Sequence, residues 1–157
     1  MRPALAVLVV MLVTACSIGP TGPFKVTAAH LDSSHTCPEG SSNSPYQGHA
    51  MLDADNPTSK DVNISKVSAV ITVVATHGNW LNKVGDKFDA VISSFSPKAV
   101  KAGSKTTVKV NIDLVCTNTS TGGNSSNYGD YTAEFTVATS AGTFKAKSQN
   151  NTRISAP

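Results

Sequence analysis

Residues 24–157 of this chain read as an all-β fold, an antiparallel sandwich of about seven strands, and three observations predict it. Several segments alternate apolar and polar residues with the period of two that a half-buried strand requires. Charged residues make up only 15% of the chain, while Thr, Ser, Asn and Val are plentiful, a mixture that suits exposed strand faces and polar turns better than helices. Clusters of Gly, Pro, Asn and Ser separate the alternating segments at intervals of roughly 10 to 20 residues, as turns between strands should.

The chain opens on a segment that does not belong to this sandwich. Arg2 gives a positive start, Ala4 to Val13 is an apolar run, and the small residues Thr14 and Ala15 follow, the pattern of a secretory signal peptide that is removed in the mature protein. As a helix the run would reach about 15 Å, roughly half of a ~30 Å hydrocarbon core, so it is too short to span a membrane. Leu12-Val13-Thr14-Ala15-Cys16 resembles the lipobox of bacterial lipoproteins. The resemblance implies cleavage of residues 1–15, a diacylglycerol thioether and acyl chains such as palmitate on Cys16, and a protein lipid-anchored to the bacterial cell membrane or outer membrane, facing the extracytoplasmic side. Ser17 resembles the signal that sends enterobacterial lipoproteins to the outer membrane. Residues 16–23 then hold the lipidated cysteine and a Gly- and Pro-rich stretch, Ser17 to Pro23, expected to be a flexible tether.

Phe24-Lys25-Val26-Thr27-Ala28 alternates as a first strand should. Cys37 to Tyr46, crowded with Pro, Gly, Ser and Asn, is expected to be loop, and Gln47 to Ala54 a weak second strand ending at Asp55-Asn56-Pro57. Val67, Ala69, Ile71 and Val73 share one face of a strand whose other face carries Ser68, Val70, Thr72 and Val74, so both faces are largely apolar and the strand is expected to be central. Phe88, Ala90 and Ile92 mark a further strand closed by Ser96-Pro97. In Thr106 to Cys116, Val108, Val110, Ile112, Leu114 and Cys116 point inward and Lys109, Asn111 and Asp113 outward. Thr117 to Asp130 is expected to be a long polar loop, Tyr131 to Val137 a strand, and Ser140-Ala141-Gly142 a turn that returns Phe144 and Ala146 as the second arm of a hairpin. From Ser96-Pro97-Lys98-Ala99-Val100-Lys101-Ala102-Gly103-Ser104 into the strand at Thr106, the chain resembles immunoglobulin-like and fibronectin-type-III-like domains of bacterial surface proteins. Antibody hallmarks are missing, because Trp80 lies too far from Cys37 for the usual spacing and position 114 holds Leu where a tyrosine corner would need Tyr.

With Cys16 committed to lipid, Cys37 and Cys116 remain as an even pair in an oxidising compartment, and a disulfide between them is the natural reading; two free thiols or an intermolecular bridge are the alternatives. The formal charge is +3 and the lysines are scattered, which is no nucleic-acid footprint.

Chemistry-bearing residues are few. His30, His35, Cys37, His49 and Met51 form a copper- or zinc-type ligand set, and His49-Ala50-Met51 resembles the His-x-Met element of periplasmic copper chaperones, so His35, His49 and Met51 are the candidate metal ligands. His77-Gly78-Asn79-Trp80-Leu81 places the only Trp between two strands, and Trp80, Tyr128 and Tyr131 are a candidate binding surface at one end of the sandwich. No Gly-x-Ser-x-Gly element, phosphate loop or calcium-type spacing occurs, and no catalytic residue or cofactor is expected. The first expectation is a noncatalytic binding, adhesion or accessory module at the envelope, held to the membrane by lipid on Cys16, with an envelope protein or a glycan as its ligand. The second is a copper- or zinc-binding lipoprotein, and the third an envelope hydrolase.

Overall fold

The computed structural model describes residues 22–38, 43–116 and 127–156. Residues 1–21, with the leader, Cys16 and nearly all of the tether, lie outside the described residues, as does 117–126 from the expected long loop.

Ten strands follow one another along the chain: β1 (Lys25–Leu31), β2 (Ser34–Thr36), β3 (Ser44–Asn56), β4 (Val62–His77), β5 (Lys87–Ser96), β6 (Ala99–Val100), β7 (Ser104–Cys116), β8 (Tyr128–Thr139), β9 (Gly142–Lys147) and β10 (Thr152–Ser155). No helix occurs among the described residues. The hydrogen-bonded order is β1-β3-β7-β5-β4-β8-β10-β2, with β9 beside β8 and β6 beside β4. Strand β5 belongs to both sheets. Lys87 to Ala90 pair with Thr72 to Ala69 of β4, then Val91 to Ser96 cross to pair with Asp113 to Lys109 of β7, with a bulge between Ile92 and Ser94. One sheet is therefore β1-β3-β7-β5 and the other is built on β4, β8 and β9, which is the strand arrangement of an immunoglobulin-like sandwich.

The sandwich of about seven strands stands in β1, β3, β4, β5, β7, β8 and β9, and three details are added to it. Strands β2, β6 and β10 span only two to four residues, too few for alternation to show. The sandwich is not wholly antiparallel, since Arg153 to Ser155 run parallel to Ser34 to Thr36. Ser44 to Tyr46 and Tyr128 to Asp130, expected in loops, are strand. Pro45 is tolerated there because β3 is flanked only by β7 at that point, β1 pairing with it from Ala50 onward.

Alternation fixes the core. Val108, Val110 and Ile112 of β7, with Leu52 of the neighbouring β3, share one core with Ala133, Phe135 and Val137 of β8 in the other sheet, all essentially inaccessible to solvent. Strand β4 is central, between β5 and β8, and buries Val67, Ala69 and Val73, but its outer face is not covered: Val70 and Val74 are each 37% exposed. The hairpin from β8 to β9 turns at Gly142, whose φ of 127° lies where a side chain would be strained.

The two ends of the sandwich differ. At one, Asn56 is completely buried and ties three segments together: its Nδ2 donates to the carbonyls of Lys60, Val100 and Lys101 at 2.9, 2.9 and 3.2 Å, while its Oδ1 accepts from the backbone N and Oγ1 of Thr58 at 3.2 and 2.7 Å. At the other, Cys37 and Cys116 are joined in a disulfide with their Cα atoms 5.8 Å apart. It links the end of β7 in one sheet to Cys37, which continues β2 and donates its N–H to the Ser155 carbonyl of β10 beside β8. Closing a loop with a sequence separation of 79 residues stabilises the fold by about 4 to 5 kcal/mol in the chain-entropy account.

Candidate functional site

The side chains singled out for binding meet at the disulfide end. The β4–β8 register sets His77 opposite Tyr128 and Val73 opposite Tyr131, which brings the His77–Leu81 loop over the start of β8. Trp80 Nε1 donates to Tyr131 Oη at 2.7 Å, and that hydroxyl donates onward to Asn82 Oδ1 at 3.0 Å. The indole needs the space above Gly129, where an added Cβ would overlap the ring. The backbone N of Asn79 donates to Asn127 Oδ1 at 3.1 Å, with Gly78 at φ 66° making the turn. Tyr131 is buried at 6% exposure and Trp80 is half-buried, so the pair seals this end of the core and offers no open aromatic platform. Burial raises the Tyr131 hydroxyl above its ordinary pKa, the hydrogen bond from Trp80 opposes this, and the charge of Asp86 adds to it.

Tyr128 stacks on His77, ring centroids 5.3 Å apart, and the Arg153 guanidinium lies 3.8 Å from its ring centre. Arg153 also grips Asp130 with two hydrogen bonds, Nε at 2.7 Å and Nη2 at 2.9 Å, which hold the Asp130 carboxyl below the usual carboxylate range.

Where β5 leaves one sheet for the other, a cleft opens. The β5–β7 pairing starts at Val91 and Asp113, so Leu114 to Cys116 of β7 and Phe88 to Ala90 of β5 diverge. Between them lies a cavity of about 220 Å³ with Tyr46, Ile71 and Tyr131 deep within and Phe88, Val91, Asp89, Asp113 and Val115 at its rim. Three exposed large apolar side chains line it, Phe88, Val91 and Val115, with Val91 64% exposed, and Leu81 lines the neighbouring cavity beside the disulfide. Burial, followed by the neighbouring Tyr131, pushes the Tyr46 hydroxyl well above its ordinary pKa. Sequence reasoning missed this cleft, because Phe88, Val91 and Val115 read as ordinary strand residues and their exposure follows from the crossing of β5.

The expected metal ligands do not converge. His49 and Met51 occupy one face of β3 as alternation requires, but that face is the outer one, and His49 Nδ1 pairs with Asp32 Oδ2 at 2.9 Å. His35, on β2, stacks against the inward-facing Tyr46 with ring centroids 3.8 Å apart. The trio His35, His49 and Met51 is thus split between the two faces of β3, since positions 46 and 49 of a strand point to opposite sides. Of the carboxylates, Asp53 accepts from Thr107 Oγ1 at 2.8 Å and Asp61 pairs with Lys101 at 2.7 Å, both as solvated surface contacts.

No protein-family model matches the sequence, and no curated protein matches it. Among solved structures, the chain is similar to AggA, the major subunit of aggregative adherence fimbriae type I from Escherichia coli, with a TM-score of 0.38 and 11% identity, covering 87% of this chain and 97% of that one. It is also similar to the CooA pilin subunit of enterotoxigenic Escherichia coli, with a TM-score of 0.31 and 12% identity over 83% of this chain and 97% of that one. A PapD-like domain of human CEP192 gives a TM-score of 0.31 and 15% identity over 99% and 98%. The immunoglobulin-like assignment rests on the strand order and not on these likenesses.

Proposed function

We propose that the chain is a noncatalytic binding module of the bacterial cell envelope, anchored by lipid on Cys16, whose ligand is an envelope protein held at the cleft between β5 and β7. The observation that carries this reading is that Phe88, Val91 and Val115, all exposed, line one cavity whose depth is formed by Tyr46, Ile71 and Tyr131. Exposed apolar side chains in one rimmed group mark interaction surfaces, whereas scattered ones carry no such meaning. The lipobox-like Leu12 to Cys16 supports the anchor, and with the short tether Ser17 to Pro23 it would keep the cleft within a few tens of ångströms of the membrane.

A photo-crosslinking side chain installed at Val91 in cells tests both parts. The expected result is one discrete adduct in the membrane fraction that Val115→Lys abolishes, and loss of the protein from that fraction in Cys16→Ser. Adducts no different from those of a crosslinker at the exposed Lys66 would overturn the binding surface. Membrane association unchanged by Cys16→Ser would overturn the anchor.

A further inference from the structure

The disulfide has a companion that the binding reading leaves unused. His35 and Cys37 are two apart on an extended segment, so both side chains leave it on the same side, toward Cys116 at the end of β7. A ring nitrogen of His35 and the two sulfurs all lie within 4.8 Å of one another. His35 Nε2 is also the one buried side-chain nitrogen or oxygen without a hydrogen-bond partner among the described residues, a costly state for a polar atom in an otherwise satisfied structure. The imidazole is held in a fixed plane by the Tyr46 ring, stacked at an interplanar angle of 3°. Beside the sulfurs lies a cavity of about 50 Å³, lined by Cys37, Cys116, Trp80, Asn82 and Tyr131, large enough for a water molecule.

We infer that reduction of the Cys37–Cys116 bond converts this end of the sandwich into a zinc site with His35, Cys37 and Cys116 as protein ligands and a water from the adjoining cavity as the fourth. This goes beyond the binding module and stands independently of it. In the oxidised form neither sulfur is a thiolate, so neither can serve as a zinc ligand. A dithiol supplies two electrons and two protons, its sulfurs closing to their own disulfide while the S–S bond opens to two thiols. Zinc then displaces the two thiol protons, forming two Zn–S bonds and one bond to the imidazole nitrogen. With Zn–S near 2.3 Å and Zn–N near 2.1 Å, a tetrahedral site needs sulfurs about 3.8 Å apart and each about 3.6 Å from the nitrogen. Cα atoms 5.8 Å apart allow the first by side-chain rotation, and a shift of about 1 Å in the ring meets the second.

The test uses the full chain carrying Cys16→Ser, in which the two candidate ligands are the only thiols, with cobalt(II) as a spectroscopic probe displaced by zinc. The reduced protein should take up one ion per chain, with sulfur-to-cobalt charge transfer and the intense visible bands of a tetrahedral site, while the oxidised protein shows neither. His35→Ala should weaken binding by about 100-fold or more, since even residues that only orient a ligand cost 10- to 100-fold, and His49→Ala, on the outer face, should leave it unchanged. Uptake by the oxidised protein, an unaltered affinity in His35→Ala, or an equal loss in His49→Ala would overturn the inference. If reduction alone unfolds the chain, zinc should restore its β-sheet circular dichroism, and failure to do so would likewise overturn it.

Discussion

Asn56 is the side chain whose replacement should tell most about how the end of the sandwich opposite the disulfide is held. Asn56→Ala removes the donor to the carbonyls of Lys60, Val100 and Lys101 and the acceptor for Thr58, at a site with no solvent exposure. Each net hydrogen bond is worth about 1 kcal/mol, and water re-entering the gap recovers part of what is lost, so the expected cost is about 3 to 4 kcal/mol. For a domain of this size that lowers the melting temperature by on the order of 10 to 15 °C. Asn56→Asp sharpens the test because it keeps the shape and the acceptor toward Thr58 while turning a carboxylate toward three carbonyl oxygens. Burial and those oxygens disfavour the charged form, so the folded-state pKa of the introduced carboxyl lies above its unfolded value near ~3.9. The folded state then holds the proton more tightly. The penalty relative to wild type is smallest below the unfolded pKa, grows as pH rises through the interval up to the folded pKa, and levels off above it. Thermal melts by circular dichroism at a series of pH values, each referenced to wild type, read this directly. A loss under 2 °C for Asn56→Ala at neutral pH, or a deficit in Asn56→Asp that does not change with pH, would refute the staple role of this side chain.

Two further outcomes follow from the disulfide end. Gly129→Ala should displace the Trp80 indole, because a Cβ there overlaps the ring, and break its bond to Tyr131; a red shift and quenching of the single Trp emission should accompany destabilisation of about 1 to 3 kcal/mol, and an unchanged spectrum would show that the indole does not need that space. Asp130 is held ionised by Arg153, so the stability this pair contributes is fully present above the ordinary carboxylate pKa and lost as pH falls through the depressed folded value; Arg153→Met should lose stability at pH 6 and converge on wild type in acid, and a deficit equal at both pH values would argue against an electrostatic origin.

How far the sequence reaches depends on how long each strand is. In β7 and β8 the alternation runs for 13 and 12 residues, and Val108, Val110, Ile112, Ala133, Phe135 and Val137 are buried as the pattern implies. Strands β2, β6 and β10 exist because a neighbour offers an edge to pair with, and nothing in Ser34-His35-Thr36 announces that. The same division separates the site residues. That His49 and Met51 share a face is local and legible; that the face is the outer one, away from His35, depends on where β7 and β1 lie. Trp80 and Tyr131, 51 residues apart, meet only through the β4–β8 register. The cleft needs the crossing of β5, for which the sequence carries no sign beyond the apolar character of Phe88, Val91 and Val115.

The parallel pairing of β10 with β2 joins residues 119 positions apart, Thr36 with Ser155. Among the described residues β10 is the one sheet partner of Ser34 to Thr36, so these early residues pair only when almost all of the chain behind them is available. Leu31 waits in the same way for Asn150, which both donates to and accepts from its backbone at 2.8 and 2.9 Å. The β2–β10 edge and the Leu31–Asn150 contacts therefore form only once residues 150–155 are in place, which makes the closing of this edge a non-local, late step in folding.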